Sequence, residues 1–132
     1  MIVYLDTSAA FKLLVDEPES GPLAAALAAL PADDVLVSSM LLLSEMHCAA
    51  QRRAAWDAAS VNAVLTGISL VDVTRADLSR AATSGWGLRS ADSIHLAVAL
   101  RLEADCFVAY DDELCAAATT AGLELLQPRD TP

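Results

Sequence analysis

Basic residues are scarce in this chain. Eight Lys and Arg stand against 18 Asp and Glu, for a net charge of −10 and an isoelectric point near 4.3. So acidic a chain offers nucleic acid no general positive field, and any contact with phosphate has to be local. Cysteine is scarce as well: Cys48, Cys106 and Cys115 are an odd number with no paired spacing. That argues against a disulfide framework and, since His47 and His95 show no ligand spacing with them, against a zinc site. Buried free thiols in a reducing compartment are expected. Glycine and proline number five each, too few for a flexible linker, and one domain over residues 1–132 is the expectation. No apolar run approaches the ~20 residues of a membrane helix. The opening MIVYLDTSAAF carries no basic segment before its apolar stretch and reads as a strand, not an export signal. A cytoplasmic protein without a membrane partner is expected. Aromatics are 5% of the residues, which leaves the core to Ala, Leu and Val.

What is present is aliphatic. Hydrophobic residues make up 55% of the chain and mean hydropathy is +0.45, enough for a packed core and too much for disorder. The apolar runs IVYL (2–5), VLV (35–37), ISLVDV (68–73), CFVAY (106–110) and LELL (123–126) read as five short strands. Helical patterns fill the intervals. One runs over 9–14 behind Ser8 as a cap, and LAAALAAL is stopped by Pro31. A long helix follows from Met40 to about Ala55, capped by Ser38 or Ser39, then a helix over 57–65 and RADLSRAAT behind Thr74. The helix capped by Ser90 and the segment DELCAAATTAG, closed by Gly122, complete the set. This alternation predicts an α/β three-layer sandwich: a short, mainly parallel five-stranded sheet flanked by helices.

Within that scheme the position of certain acids is informative. In parallel sheets ligands bind beyond the carboxyl ends of the strands, where strand order reverses. Asp6 directly follows the first strand, and Asp111 directly follows CFVAY. Asp72 falls inside its strand pattern and is expected to face solvent. Glu45 has Leu41, Leu42, Cys48 and Ala49 as its helical neighbours, so it lies on the apolar stripe. A carboxylate there needs a partner, and Arg52 is one candidate. Asp92 lies in the first turn of its helix, where the dipole alone favours an acid. That helix also leads directly into the strand before Asp111, so Asp92 can share the edge with Asp6 and Asp111. Four carboxylates gathered in one place repel one another unless a cation joins them. Hard divalent ions, Mg²⁺ or Mn²⁺, suit an all-oxygen set, and phosphodiester displacement is the chemistry such sites run.

Four segments carry a resemblance. MIVYLDTSAAFKLL, VSSMLLLSEMHCAA, SADSIHLAVAL and FVAYDDELCAAATTAGLELL resemble, in order, the acidic motifs of PIN-domain ribonucleases, and the length is similar to that of VapC-type toxins of bacterial toxin–antitoxin pairs. The resemblance implies a Mg²⁺- or Mn²⁺-dependent endoribonuclease. It implies that Asp6, Glu45, Asp92 and Asp111 are the catalytic, metal-holding acids. It also implies a homodimer restrained by a cognate antitoxin. One departure stands out: Ala109 occupies a place, two residues before Asp111, where the family often has Thr or Ser. Asp112 can share the role of Asp111 or serve as a first-turn helix acid.

Other side chains have two readings each. Lys12, Arg52, Arg53 and Arg89 lie close in sequence to the acids and can meet RNA phosphates or be ordinary solvated charge. Trp86, between two glycines, can stack a base, pack on the antitoxin or fold onto the core. His95 can bond near the site or be a satisfied core histidine. Ser8 can bond a carboxylate or cap a helix. Two rival functions remain. One is a PIN-fold interaction module without catalysis, which Ala109 leaves open. The other is an aspartate-based phosphatase or receiver, disfavoured because Ser8 stands where a second acid is wanted and Lys12 is the only lysine.

Overall fold

In a computed structural model of the chain, residues 1–53 and 56–129 are described. Five strands, β1 (Ile2–Leu5), β2 (Val35–Ser39), β3 (Ser69–Val71), β4 (Cys106–Val108) and β5 (Leu125–Leu126), form one sheet in the order β3-β2-β1-β4-β5. Every pairing in it is parallel. Among the described residues seven α-helices connect the strands: α1 (Thr7–Ala10), α2 (Ser20–Ala28), α3 (Leu41–Arg53), α4 (Ala58–Thr66), α5 (Arg75–Thr83), α6 (Ser90–Arg101) and α7 (Asp112–Thr120). A 3₁₀ turn, Phe11–Leu13, extends α1.

The pleat of β1 divides the core in two. Val3 and Leu5 join an apolar layer with Leu23 of α2, Leu42 and Met46 of α3 and Val61 of α4. Tyr4, pointing the other way, joins Leu96 and Val98 of α6, Phe107, and Leu114 and Ala118 of α7. Strands buried on both faces explain why β1 and β4 read as continuous apolar runs rather than alternating ones. The α/β sandwich expected from the sequence is the architecture found.

Details of the caps and ends differ from the sequence reading. Ser8 does not cap α1; Asp6 does, accepting from the Ser8 backbone N–H. Ser90 is already the first helical residue of α6, and the cap position falls to Arg89, whose side chain makes no capping bond. Ser39, not Ser38, lends its hydroxyl to the start of α3, at 3.2 Å from Leu41 N. β4 stops at Val108 because its neighbour β5 is two residues long and ends opposite it; Asp111 therefore caps α7 and does not directly end a strand. The expected end of α3 near Ala55 lies outside the described residues. Thr74 and Asp77 form a reciprocal capping box at α5, as its sequence indicated for Thr74. Of the three free thiols, Cys115 is buried and Cys106 half-buried, but Cys48 is exposed, contrary to expectation.

Candidate active site

Strand order reverses between β1 and β4, since β2 and β3 lie to one side of β1 and β4 and β5 to the other. The crevice rule therefore points to the carboxyl ends of these two strands. The backbone ties the two ends together. Asp6 N donates to Val108 O at 2.9 Å, and Tyr110 N donates to Ser8 Oγ at 3.0 Å.

Asp6 continues the pleat of β1 on the side of Tyr4. Its carboxylate is 1% exposed. Oδ2 accepts from Ser8 N at 3.0 Å and from Ser8 Oγ at 2.7 Å. Oδ1 is buried with no hydrogen-bond partner. Among the described residues one other side-chain oxygen shares that condition, Asp34 Oδ2, but the other oxygen of Asp34 is paired with the N-terminal ammonium at 2.8 Å.

Glu45 projects from α3, half-buried, and does not pair with Arg52. Oε1 accepts from Thr7 Oγ1 at 2.7 Å and lies 2.7 Å from His95 Nε2. Thr7 Oγ1 is also 2.9 Å from that nitrogen. His95 Nδ1 lies 2.7 Å from the Tyr4 hydroxyl. His95 is thus both things its sequence allowed: fully buried, and bonded at the acidic edge. Burial pushes the imidazole pKa down. The hydrogen bond to Glu45 and the charges of Asp6, Glu45 and Asp92 push it up, and the net shift is upward.

Asp92 is in the first turn of α6. Its carboxyl is pushed up to about 6, first by burial and then by the negative charges of Asp6 and Asp111, with a smaller contribution from Glu45; His95 opposes them. Asp92 therefore lies in the field of the other three acids. They do not form a closed cage: among the described residues no three His, Cys, Asp or Glu side chains stand as a ready metal-binding group. Two of them use one oxygen on a helix cap. Asp6 caps α1, and Asp111, exposed, accepts on Oδ1 from Leu114 N at 2.9 Å. Asp112 is an exposed first-turn residue of α7.

Ala109 packs in the Tyr4 layer, and Ser8 is the residue whose hydroxyl reaches Asp6. Lys12 is bound to Glu17 and Glu19 at 2.7 and 3.1 Å, which removes it from the candidates for phosphate. Arg52, Arg53 and Arg89 are exposed, and Arg53 also lies over the Trp56 ring at 5.5 Å. Trp86 is half-buried against the Tyr4 layer and lines a groove of about 490 Å³ with Leu88, Glu113 and Ala117. Asp72 is exposed, as expected, just past β3. Sequence reasoning assigned nothing to Thr7 and Tyr4. Thr7 gives no signal in sequence; Tyr4 does, since it lies two residues before Asp6 and shares its strand face.

A model of the PIN domain family matches residues 3–119. The chain belongs to the PIN-domain family. A relative, Ribonuclease VapC47 of Mycobacterium tuberculosis, is 31% identical over 132 residues, covering 96% of this chain and 97% of its own. The sarcin–ricin-loop-cleaving toxin VapC20 of M. tuberculosis shares the fold at a TM-score of 0.75 and 20% identity, over 96% of this chain and 99% of its own. A toxin–antitoxin complex from Klebsiella pneumoniae matches at 0.70 and 16% identity, over 98% of this chain and 99% of that one. Among the described residues of this PIN chain, no helix is long and apolar enough to cross a membrane.

Proposed function

We propose that this chain is a divalent-metal-dependent endoribonuclease and the toxin of a toxin–antitoxin pair. The observation that carries the reading is Asp6 Oδ1, a carboxylate oxygen cut off from water and without a partner, in the electrostatic field of Asp92 and its neighbours. Such an atom is costly to bury unless something binds it. A donor set made of carboxylates fits a hard cation, Mg²⁺ or Mn²⁺. The relative at 31% identity is named a ribonuclease, which supports RNA as the substrate.

Asp6 and Asp92 would be the main holders of the ion, with Glu45 and Asp111 completing its shell or acting through bound water. When bound, it supplies a more acidic water and offsets charge on the phosphate. The protein's own groups do the orienting. Ser8 occupies Asp6 Oδ2 and leaves Oδ1 open. Thr7 and His95 hold Glu45 by Oε1. Asp111 spends Oδ1 on its helix cap and is exposed, so its other oxygen is the one to take the proton of the attacking water. One P–O bond forms to the water oxygen and one breaks to the leaving ribose oxygen. Arg52, Arg53 and Arg89 meet the RNA backbone. A cognate antitoxin covers the edge, as the toxin–antitoxin fold neighbour suggests, and the chain acts as a homodimer in the cytoplasm.

The test is cleavage of structured RNA by the purified chain. Activity with Mg²⁺ or Mn²⁺ that stops on chelation and returns with added metal is the expected result. Cleavage indifferent to chelator, or none with any divalent ion, overturns the proposal.

A further inference from the structure

The bond between Glu45 and His95 is unusual in where it runs. α3 gives its buried side chains to one apolar layer and α6 gives Leu96, Val98 and Ala99 to the other. Packing alone does not require side chains from opposite layers to meet. They meet here over the rim of the sheet, beside Asp6. The imidazole is fixed at both ends: Nδ1 by the Tyr4 hydroxyl at 2.7 Å, Nε2 by Glu45 Oε1 at 2.7 Å. Ser39 Oγ, at 3.5 Å, also lies on the Nδ1 side. A carboxylate only accepts hydrogen bonds, so Nε2 carries a proton directed at Glu45. A ring flip would break both short bonds at once. Tyr4 is itself locked by stacking on Phe107, with centroids 5.5 Å apart and planes 9° from parallel.

A fully buried imidazole needs partners, and Tyr4 with Ser39 could satisfy only its inner nitrogen. The outer nitrogen is turned to a site acid. Its bond, together with that of Thr7, falls on Oε1 alone; among the described residues Oε2 has no hydrogen-bond partner. Tethering one carboxylate oxygen fixes the direction of the other, the arrangement by which outer-shell groups orient metal ligands.

We infer that His95, backed by Tyr4, is a positioning residue that aims the free oxygen of Glu45 at the cation. The inference rests on the metal-dependent reading above. His95 touches neither ion nor RNA and acts through Glu45.

The experiment measures Mn²⁺ affinity of the metal-free full chain, by the electron paramagnetic resonance of free Mn²⁺. His95→Leu weakens binding by about 10–100-fold. His95→Gln, which keeps an N–H donor for Glu45, recovers most of that loss. Added to Glu45→Ala, His95→Leu costs less than about 2-fold more, because the two act as one unit. Tyr4→Phe keeps the stacked ring and removes only the hydroxyl. It weakens binding several-fold while the fold stays native by circular dichroism, and it keeps the inference testable if His95→Leu does not fold. Wild-type Mn²⁺ affinity in folded Tyr4→Phe and His95 variants overturns the inference, and so do losses that add independently with Glu45→Ala. A wild-type chain that binds no Mn²⁺ overturns the metal-dependent reading, and this inference with it.

Discussion

Arg101 of α6 holds Asp77 of α5. Its Nε lies 2.9 and 3.1 Å from the two carboxylate oxygens, and its Nη2 reaches Asp72 O at 2.9 Å. The Asp77 side chain is 2% exposed and caps its own helix through Thr74. Burial raises its pKa, but the bonds from Arg101 and Thr74 outweigh that and hold it below its ordinary 3.8. A depressed carboxyl contributes stability above its unfolded value and loses it as pH falls through the folded one. Acid unfolding below about pH 4 therefore includes the loss of this pair. Arg101→Ala is expected to cost about 1–3 kcal/mol, since it strips a buried carboxylate of charged donors. Denaturant melts at pH 7 and pH 3 check it: the gap between variant and wild type should shrink in acid.

Asp92 has the opposite sign. Burial and the neighbouring acids push its folded carboxyl up to about 6, against an ordinary 3.8. The native state then binds more protons than the unfolded chain, so metal-free stability falls as pH rises from about 4 to about 6. Asp92→Asn should remove that decline and raise the melting temperature in EDTA at pH 8, relative to wild type. A melting temperature left unchanged there would contradict the convergence of the acids.

Asp6→Asn keeps the shape of the side chain and removes its charge. RNA cleavage is expected to fall by at least about 100-fold. Circular dichroism should be unchanged, and the metal-free chain should be no less stable. Cleavage at the wild-type rate would remove Asp6 from the chemistry.

Arg52 and Arg53 lie in the last turn of α3, two turns beyond Glu45. Each phosphate contact to a single strand contributes about 0.7 to the slope of log affinity against log salt. Arg52→Ala should lower the slope of RNA binding by about that amount and weaken every RNA alike. An unchanged slope would return Arg52 to ordinary helix charge.

Gly122 ends α7 in a left-handed turn, with φ +99°. Its N–H bonds Thr119 O and that of Leu123 bonds Ala118 O, both at 3.0 Å, the double closure of a Schellman motif. Gly122→Ala should cost about 1–2 kcal/mol, read as a lower melting temperature with activity per folded molecule unchanged.

Particular residues show what could be read in advance. The sheet and the order of its helices follow from apolar runs such as IVYL and from Thr74 and Gly122, whose roles are local and depend only on neighbours in sequence. The acidic edge followed from Asp6 and Asp92 because strand ends and first helical turns are topological positions. The partners of Glu45 were not legible. Arg52, near in sequence, was the natural candidate, but the bonds come from Thr7 and His95, brought in by strand pairing and helix packing across 38 and 50 residues. Ser8 misled for a related reason: a hydroxyl beside an aspartate caps a helix or bonds the acid with equal local sense, and only the fold decides.

β1 lies in the middle of the sheet, flanked by β2 and β4. Amides there exchange with solvent only when the whole domain opens, whereas two-residue β5 and the edge strand β3 can fray alone. The segment that delivers Asp6 is thus expected to be among the slowest-exchanging of the described residues. Damage at the periphery lowers the population of folded molecules before it alters the shape of the acidic edge in those that remain.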